Sequence, residues 1–250
     1  VLINTCSVTS EAERKARKAV HKALGEGSET RVIVTGCVSP GLAKSLATLA
    51  PRVEVVADRG AAAELARRLA AGEVARAAVA AERSTTVLWS ATSGGATPDG
   101  RRRTRAFVKV QDGCDRRCAY CIVPSLRPDP VSRPLEDALA EIAALGEAGV
   151  AEIVLTGIDV GRYDDSGRDL ADLVEAAAAA AVKRIRISSI EPQDMTERLV
   201  AMFGKVDKLA PHVHLPLQSG SDRVLTAMRR PYDVAGYLDV VERLRHARPG

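Results

Sequence analysis

Cys114, Cys118 and Cys121 are three of the chain's five cysteines and stand at the spacing C-x3-C-x2-C, directly after an apolar run that reads as a strand. Three thiolates on one loop can bind three irons of a cubane iron–sulfur cluster. The fourth iron is then left open to a small-molecule ligand. The same residues admit two other readings, a zinc site completed by a distant ligand and disulfides. Zinc more often uses paired C-x2-C knuckles, and this chain has one. The other two cysteines, Cys6 and Cys37, each follow a strand-like run near the start of the chain, so their side chains are expected at one edge of a sheet. Taken without context, they read as buried, inert thiols.

The elements that must carry these cysteines alternate strand and helix. A strand Val1 to Asn4, a helix Glu11 to Leu24 and a strand Arg31 to Thr35 form a βαβ unit. Ser10, three residues before Glu13, predicts a reciprocal cap at the start of that helix. A helix Gly41 to Ala50, a strand Val53 to Val56 and a helix Ala61 to Ala71 complete a small parallel α/β domain, residues 1–72. Residues 73–103, polar and without a steady period, read as a linker. A second series fills residues 104–250. Its strands are expected near Ala106 to Val110, Glu152 to Leu155, Arg184 to Ile187 and His212 to Leu215, with helices near Leu135 to Ala148, Leu170 to Ala181, Thr196 to Phe203 and Val234 to Ala247. Four such units describe a partial (β/α) barrel. The six alanines Ala176 to Ala181 read as helix.

Barrel geometry places the residues just past each strand on the face that carries the cysteine loop. These are Thr156 and Gly157, then Ser189 and Glu191, then Gln218. Gly157 would admit a ligand close to the backbone, and Ser189, Glu191 and Gln218 offer hydroxyl, carboxylate and amide groups suited to an amino acid and a ribose. Taken singly, each reads equally well as turn and cap chemistry. His212 and His214 read as hydrogen-bonded polar groups at a strand rather than as metal ligands.

Composition bounds the rest. The chain has 250 residues, 46% hydrophobic and 27% charged, with 3% aromatic, which is globular chemistry with an aliphatic core. A net charge of +4 permits an anionic partner without naming one. Candidate contacts to a nucleic-acid backbone are Arg101, Arg102, Arg103 and Arg105, then Lys183, Arg184 and Arg186, then Arg229 and Arg230. No apolar run is long enough to span a membrane and the start lacks the pattern of a signal peptide, so a cytoplasmic protein with no membrane association is expected. The strand at Val1 and the approach to another strand at Gly250 read as a chain cut inside larger domains.

Cys114 to Cys121, with Tyr120 before the last cysteine, resembles the signature of radical S-adenosylmethionine (SAM) enzymes. The resemblance implies a 4Fe-4S cluster on Cys114, Cys118 and Cys121. SAM would bind its open iron, with Tyr120, Thr156, Gly157, Ser189, Glu191 and Gln218 as candidate cofactor contacts. Asn4-Thr5-Cys6 and Thr35-Gly36-Cys37 resemble the N-terminal domain of the methylthiotransferases, which implies a second 4Fe-4S cluster with Cys6 and Cys37 as two of its three ligands. Further similar segments are Lys109 to Cys114, Cys121 to Pro124, Ser132 to Pro134, Ser188 to Pro192 and His214 to Ser221. Within that family, Asn4 to Thr9 with Ala12, Lys15 and Arg17, and Met228 to Tyr232, are most similar to the enzymes acting on N6-threonylcarbamoyladenosine in tRNA. The chain departs from the family at Arg127-Pro128-Asp129-Pro130, where an Arg-Gly pair is usual.

What the resemblance implies is a transferase that adds a methylthio group to C2 of that adenosine. One SAM would donate a methyl group to sulfur on the second cluster. Another would be cleaved reductively to a radical that removes hydrogen from the base. The partners implied are a tRNA anticodon stem-loop, whose bases can be splayed into a pocket, and an electron donor such as flavodoxin or ferredoxin. The rival readings are a methylthiotransferase for isopentenyladenosine or a ribosomal protein, a radical SAM enzyme with another substrate, and a noncatalytic tRNA-binding fragment.

Overall fold

A computed structural model describes residues 1–6, 9–56, 59–70 and 104–249. They fall in two compact units, Val1–Leu88 and Trp89–Gly250. The expected linker, residues 73–103, lies outside the described residues, as do Arg101, Arg102 and Arg103.

In the first unit, β1 (Leu2–Cys6), α1 (Ser10–Gly25), β2 (Val32–Cys37), α2 (Pro40–Ala47), β3 (Val53–Val55) and α3 (Arg59–Ala70) follow in order. The three strands form one parallel sheet in the order β1-β2-β3. β2 is central and apolar on both faces because helices cover both. Val32 and Val34 pack with Val20, Leu42 and Leu46, while Ile33 packs with Ala62 and Leu65 on the other side. The cap of α1 is Thr9, one residue earlier than the sequence suggests, and its hydroxyl accepts from the Ala12 N–H at 3.1 Å. Glu13 does not close a reciprocal cap with Ser10. Its carboxylate accepts instead from the Ser39 hydroxyl at 3.0 Å, which ties α1 to the start of α2.

The second unit begins with β4 (Arg105–Lys109), β5 (Gln111–Asp112), α4 (Val123–Leu126), β6 (Val131–Ser132), α5 (Leu135–Glu147) and β7 (Glu152–Thr156). It continues with β8 (Asp164–Asp165), β9 (Arg168–Asp169), α6 (Leu170–Ala177), β10 (Arg184–Ile187), α7 (Glu197–Lys205), α8 (Asp222–Ala227) and α9 (Val234–Ala247). β10, β7 and β4 form a parallel sheet with β7 in the middle. Strand periodicity sends Ala106, Val108, Ile153, Leu155, Ile185 and Ile187 into the core shared with α5, α6 and α7. This is the core of a partial (β/α) barrel.

Two expectations fail here. The segment expected as a fourth strand, His212 to Leu215, forms no ladder. It meets the end of the sheet through one isolated bridge, Ser189 with His214, and a second isolated bridge, Ile185 with Leu209, lies before it. Pro211 and Pro216 flank it, and each removes a donor and restricts the residue before it. The alanine run also stops being helical early, since α6 ends at Ala177. The Lys208 ammonium donates to the carbonyl oxygens of Ala178 and Ala180, at 2.8 and 2.7 Å, where the chain turns away.

Candidate functional site

The cysteine loop is closed at its neck by a two-residue antiparallel ladder. β5 and β6 pair Gln111 with Ser132 and Asp112 with Val131, so residues 113–130 leave and return at one point on the sheet's C-terminal edge. Gly113 makes this turn at φ 75°, and a β-carbon there would stand 2.0 Å from the Asp129 carbonyl oxygen. Just inside, the Cys114 N–H donates to the Arg127 carbonyl at 3.0 Å. The Arg127 guanidinium donates to Asp112 at 2.5 Å, and Lys109 donates to the same carboxylate at 2.7 Å. The Arg127-Pro128 departure thus leaves a closed neck, with Arg127 serving it through both backbone and side chain.

Gln111 fixes this neck to β7. Its buried amide donates to the carbonyls of Asp112 and Gly113, both at 2.8 Å, and accepts from the N–H groups of Ile158 and Asp159 at 3.0 and 2.7 Å. That uses the full hydrogen-bonding capacity of the side chain. Gly157, expected to give a ligand close approach, is small because Gln111 lies against it.

Arg116, between the first two cysteines, is the loop's second anchor. Its Nε donates to Asp159 at 2.5 Å and its Nη2 to Asp194 at 2.7 and 2.5 Å, and both carboxylates are largely buried. Burial raises the Asp194 carboxyl from its ordinary value, with Arg116 acting against that rise. Asp159 also lies 3.8 Å from the Cys114 sulfur. Burial, opposed by a backbone hydrogen bond at Arg116 and reinforced by the Asp159 charge, pushes the Cys114 thiol up to about 11. A metal must therefore displace the proton there, as thiolate ligation requires.

The third anchor is Arg230, whose Nη1 donates to the Cys118 sulfur at 3.1 Å. The Cys121 N–H donates to the Cys118 carbonyl at 3.1 Å, and the Ala119 N–H to Met228 at 3.1 Å, so the residues after α8 hold the loop from one side. Arg230 reads from the sequence as a surface contact for RNA. In the structure its side chain is 2% exposed and paired with Glu191.

The remaining expected residues divide. Tyr120 is exposed beside Cys121, and Thr156 ends β7 next to Gly157. The Ser189 hydroxyl pairs with His214 Nδ1 at 2.6 Å, so His214 is a polar partner at the sheet end. Glu191 is engaged by Arg230 and is thereby tied to the cysteine loop. Gln218 is exposed with a left-handed φ of 65°. In the first unit, Cys6 and Cys37 are register partners at the C-terminal ends of β1 and β2, and Cys37 is buried. Gly36 beside it has φ 105°, and a β-carbon there would stand 2.2 Å from the Thr5 carbonyl oxygen. Sequence reasoning missed Gln111, Arg116, Asp159 and Asp194 as anchors. For the three charged ones the signal was available in part, since charged residues in the cysteine loop and at strand ends need partners.

Three thiols on one closed loop are a donor set of the kind an iron–sulfur cluster uses. A tetrahedral zinc draws its sulfurs to about 2.3 Å from one point, whereas a cubane gives each thiolate its own iron. Cys114, Cys118 and Cys121, all partly exposed on one closed loop, suit the second arrangement.

A sequence profile described as the radical SAM superfamily matches residues 108–249, and one described as uncharacterized protein family UPF0004 matches residues 1–58. The chain is 38% identical to tRNA-2-methylthio-N(6)-dimethylallyladenosine synthase of Sphingopyxis alaskensis, over 100% of this chain and 57% of that protein. It is 40% identical to the protein of the same name from Anaeromyxobacter dehalogenans, over 100% and 54%. It is 36% identical to threonylcarbamoyladenosine tRNA methylthiotransferase MtaB of Chlamydia pneumoniae, over 99% and 55%. The chain thus spans about half the length of these relatives. A solved structure of the radical S-adenosylmethionine methyltransferase TsrM from Kitasatospora setae superposes with a TM-score of 0.66 at 14% identity, covering 98% of this chain and 53% of that one. That likeness is one of fold.

Proposed function

The chain belongs to the radical SAM superfamily, and from that premise we propose that it is the part of a tRNA methylthiotransferase that holds the SAM-cleaving cluster. The observation that carries this reading is the closed, triply anchored loop presenting Cys114, Cys118 and Cys121 at the C-terminal edge of a parallel sheet. A 4Fe-4S cluster held there would supply one-electron reduction of SAM at its open iron, and so a radical able to take hydrogen from an unactivated carbon.

The chain's own residues do the positioning. Gln111 and the β5–β6 ladder fix where the loop leaves the sheet, Arg116 pins it to Asp159 and Asp194, and Arg230 holds Cys118 from the far side. Exposed Tyr120, together with Thr156 and Ser189 at the strand ends, offers polar and aromatic surface for SAM. Glu191 and Gln218 complete that set. In residues 1–72, ahead of the linker 73–103 and the barrel 104–250, Cys6 and Cys37 are two of the ligands of a second cluster, and their pairing on adjacent strands supports this role.

The substrate we infer is N6-threonylcarbamoyladenosine beside the anticodon of tRNA, and Asn4 to Thr9 and Met228 to Tyr232 support that choice. Relatives named for dimethylallyladenosine match at similar identity, so overall identity does not decide between the two bases. The work would be done in the cytoplasm, with flavodoxin or ferredoxin as electron donor. No helix among the described residues is long and apolar enough to cross a membrane. Mass spectrometry of tRNA nucleosides from cells with and without the gene tests the reading. Loss of the 2-methylthio form of N6-threonylcarbamoyladenosine supports it, loss of the dimethylallyl counterpart reassigns the base, and unchanged tRNA overturns it.

A further inference from the structure

We infer that Arg230 is a positioning residue that sets the reduction potential of the cluster through a charged hydrogen bond to Cys118, with Glu191 as its counterweight. The inference rests on the reading of the cysteine triad as a cluster site.

A guanidinium that is 2% exposed is costly to bury unless its charge and its donors are met. Arg230 has two hydrogen-bond acceptors and one counter-charge around it. Nη1 donates to the Cys118 sulfur at 3.1 Å, Nε donates to the Tyr232 hydroxyl at 3.2 Å, and Glu191 forms the ion pair. The guanidinium also lies 5.1 Å from the centre of the Tyr232 ring. Tyr232 is itself held, its hydroxyl directed at the carbonyls of Pro216 and Leu217 at 3.0 and 3.2 Å. These contacts hold the cation, almost fully buried, beside the sulfur.

The placement has an electrical consequence. Reduction of the cluster from [4Fe-4S]2+ to [4Fe-4S]1+ adds one electron, taken from an external reductant, and part of the added negative charge falls on the cysteine sulfurs. A cationic donor on one sulfur stabilises the reduced state more than the oxidised one and raises the potential, and low local polarity strengthens the effect. Glu191 opposes it by neutralising the same guanidinium. Removing the cation and removing its counterweight must then shift the potential in opposite directions, a pattern that a purely structural contact does not produce.

The test is a potentiometric titration with dithionite, followed by electron paramagnetic resonance without SAM, on the full chain reconstituted with iron and sulfide. The expected result is a lower midpoint than wild type in Arg230→Gln and a higher one in Glu191→Gln, with Arg230→Lys lying between wild type and Arg230→Gln. An unmoved midpoint in Arg230→Gln, or an unmoved or lowered one in Glu191→Gln, overturns the inference. If Arg230→Gln takes up no cluster, the sign of the Glu191→Gln shift decides. A wild-type chain without a cluster signal overturns the reading of the triad and this inference with it, whereas a normal signal with unmoved midpoints overturns the inference alone.

Discussion

Gly157 and Gln111 interlock where β7 meets the cysteine loop, so closely that a β-carbon on Gly157 would stand 2.9 Å from both the Cβ and the carbonyl oxygen of Gln111. One of these atoms is backbone, so the clash cannot be relieved by turning a side chain. Gly157→Ala is expected to destabilise the second unit by about 1–3 kcal/mol through overpacking and to lower iron uptake. Urea denaturation with iron analysis checks both. A variant with wild-type stability would show that the neck of the loop is looser than its contacts indicate.

Arg116 sits between two buried carboxylates, Asp159 and Asp194. Arg116→Ala strands both and should cost about 3 kcal/mol, the usual scale for removing one member of a buried ion pair. Replacing all three residues with neutral ones, Arg116→Leu with Asp159→Asn and Asp194→Asn, should recover much of that loss. Denaturation of the two variants under one set of conditions distinguishes a charge effect from a packing effect.

Cys6 and Cys37 are register partners across the β1–β2 pair, in a unit separate from the triad. In full-length protein, Cys6→Ala with Cys37→Ala should leave reductive SAM cleavage intact and abolish methylthiolation. Methylthiolation surviving in that variant would show that the second cluster is not part of the reaction.

Tyr163 gives a pH signature for the core. Its buried hydroxyl donates to the Arg133 carbonyl at 2.8 Å, and burial pushes its pKa up from 10.0 to about 12. A raised folded-state pKa means that the folded chain holds this proton more tightly than the unfolded chain does. The associated stability is complete below pH 10 and is lost as pH rises toward 12. Denaturation of wild type and Tyr163→Phe across that range should show a steeper alkaline decline in wild type. Parallel curves would mean that the hydroxyl titrates as it does in water.

The pattern of what was legible in the sequence follows from the range of the interactions. β2, α1 and α9 announce themselves through local periodicity, and the cysteine spacing is a local signal of the same kind. Arg230 was not legible as a neighbour of Cys118, because 112 residues separate the two and nothing nearby distinguishes a buried arginine from an exposed one. The end of α6 was misread because helix propensity favours continuing the alanine run, whereas Lys208, 28 and 30 residues further on, caps the turn that ends it. The missing fourth strand has a local cause, since Pro211 and Pro216 each remove a donor that a ladder needs. The Thr9 cap differs by one residue from the Ser10 expected, because either hydroxyl serves and only the backbone geometry chooses.

In the proposed reaction, Cys114, Cys118 and Cys121 hold a 4Fe-4S cluster that cleaves SAM. The direct test is anaerobic reconstitution with iron and sulfide, followed by measurement of 5′-deoxyadenosine formed from SAM with dithionite, for wild type and for the variant with all three cysteines changed to Ala. Cluster absorbance and 5′-deoxyadenosine are expected in wild type, with no product from the variant. A wild-type chain that takes up zinc but no cluster, or a variant that still forms 5′-deoxyadenosine, would contradict it.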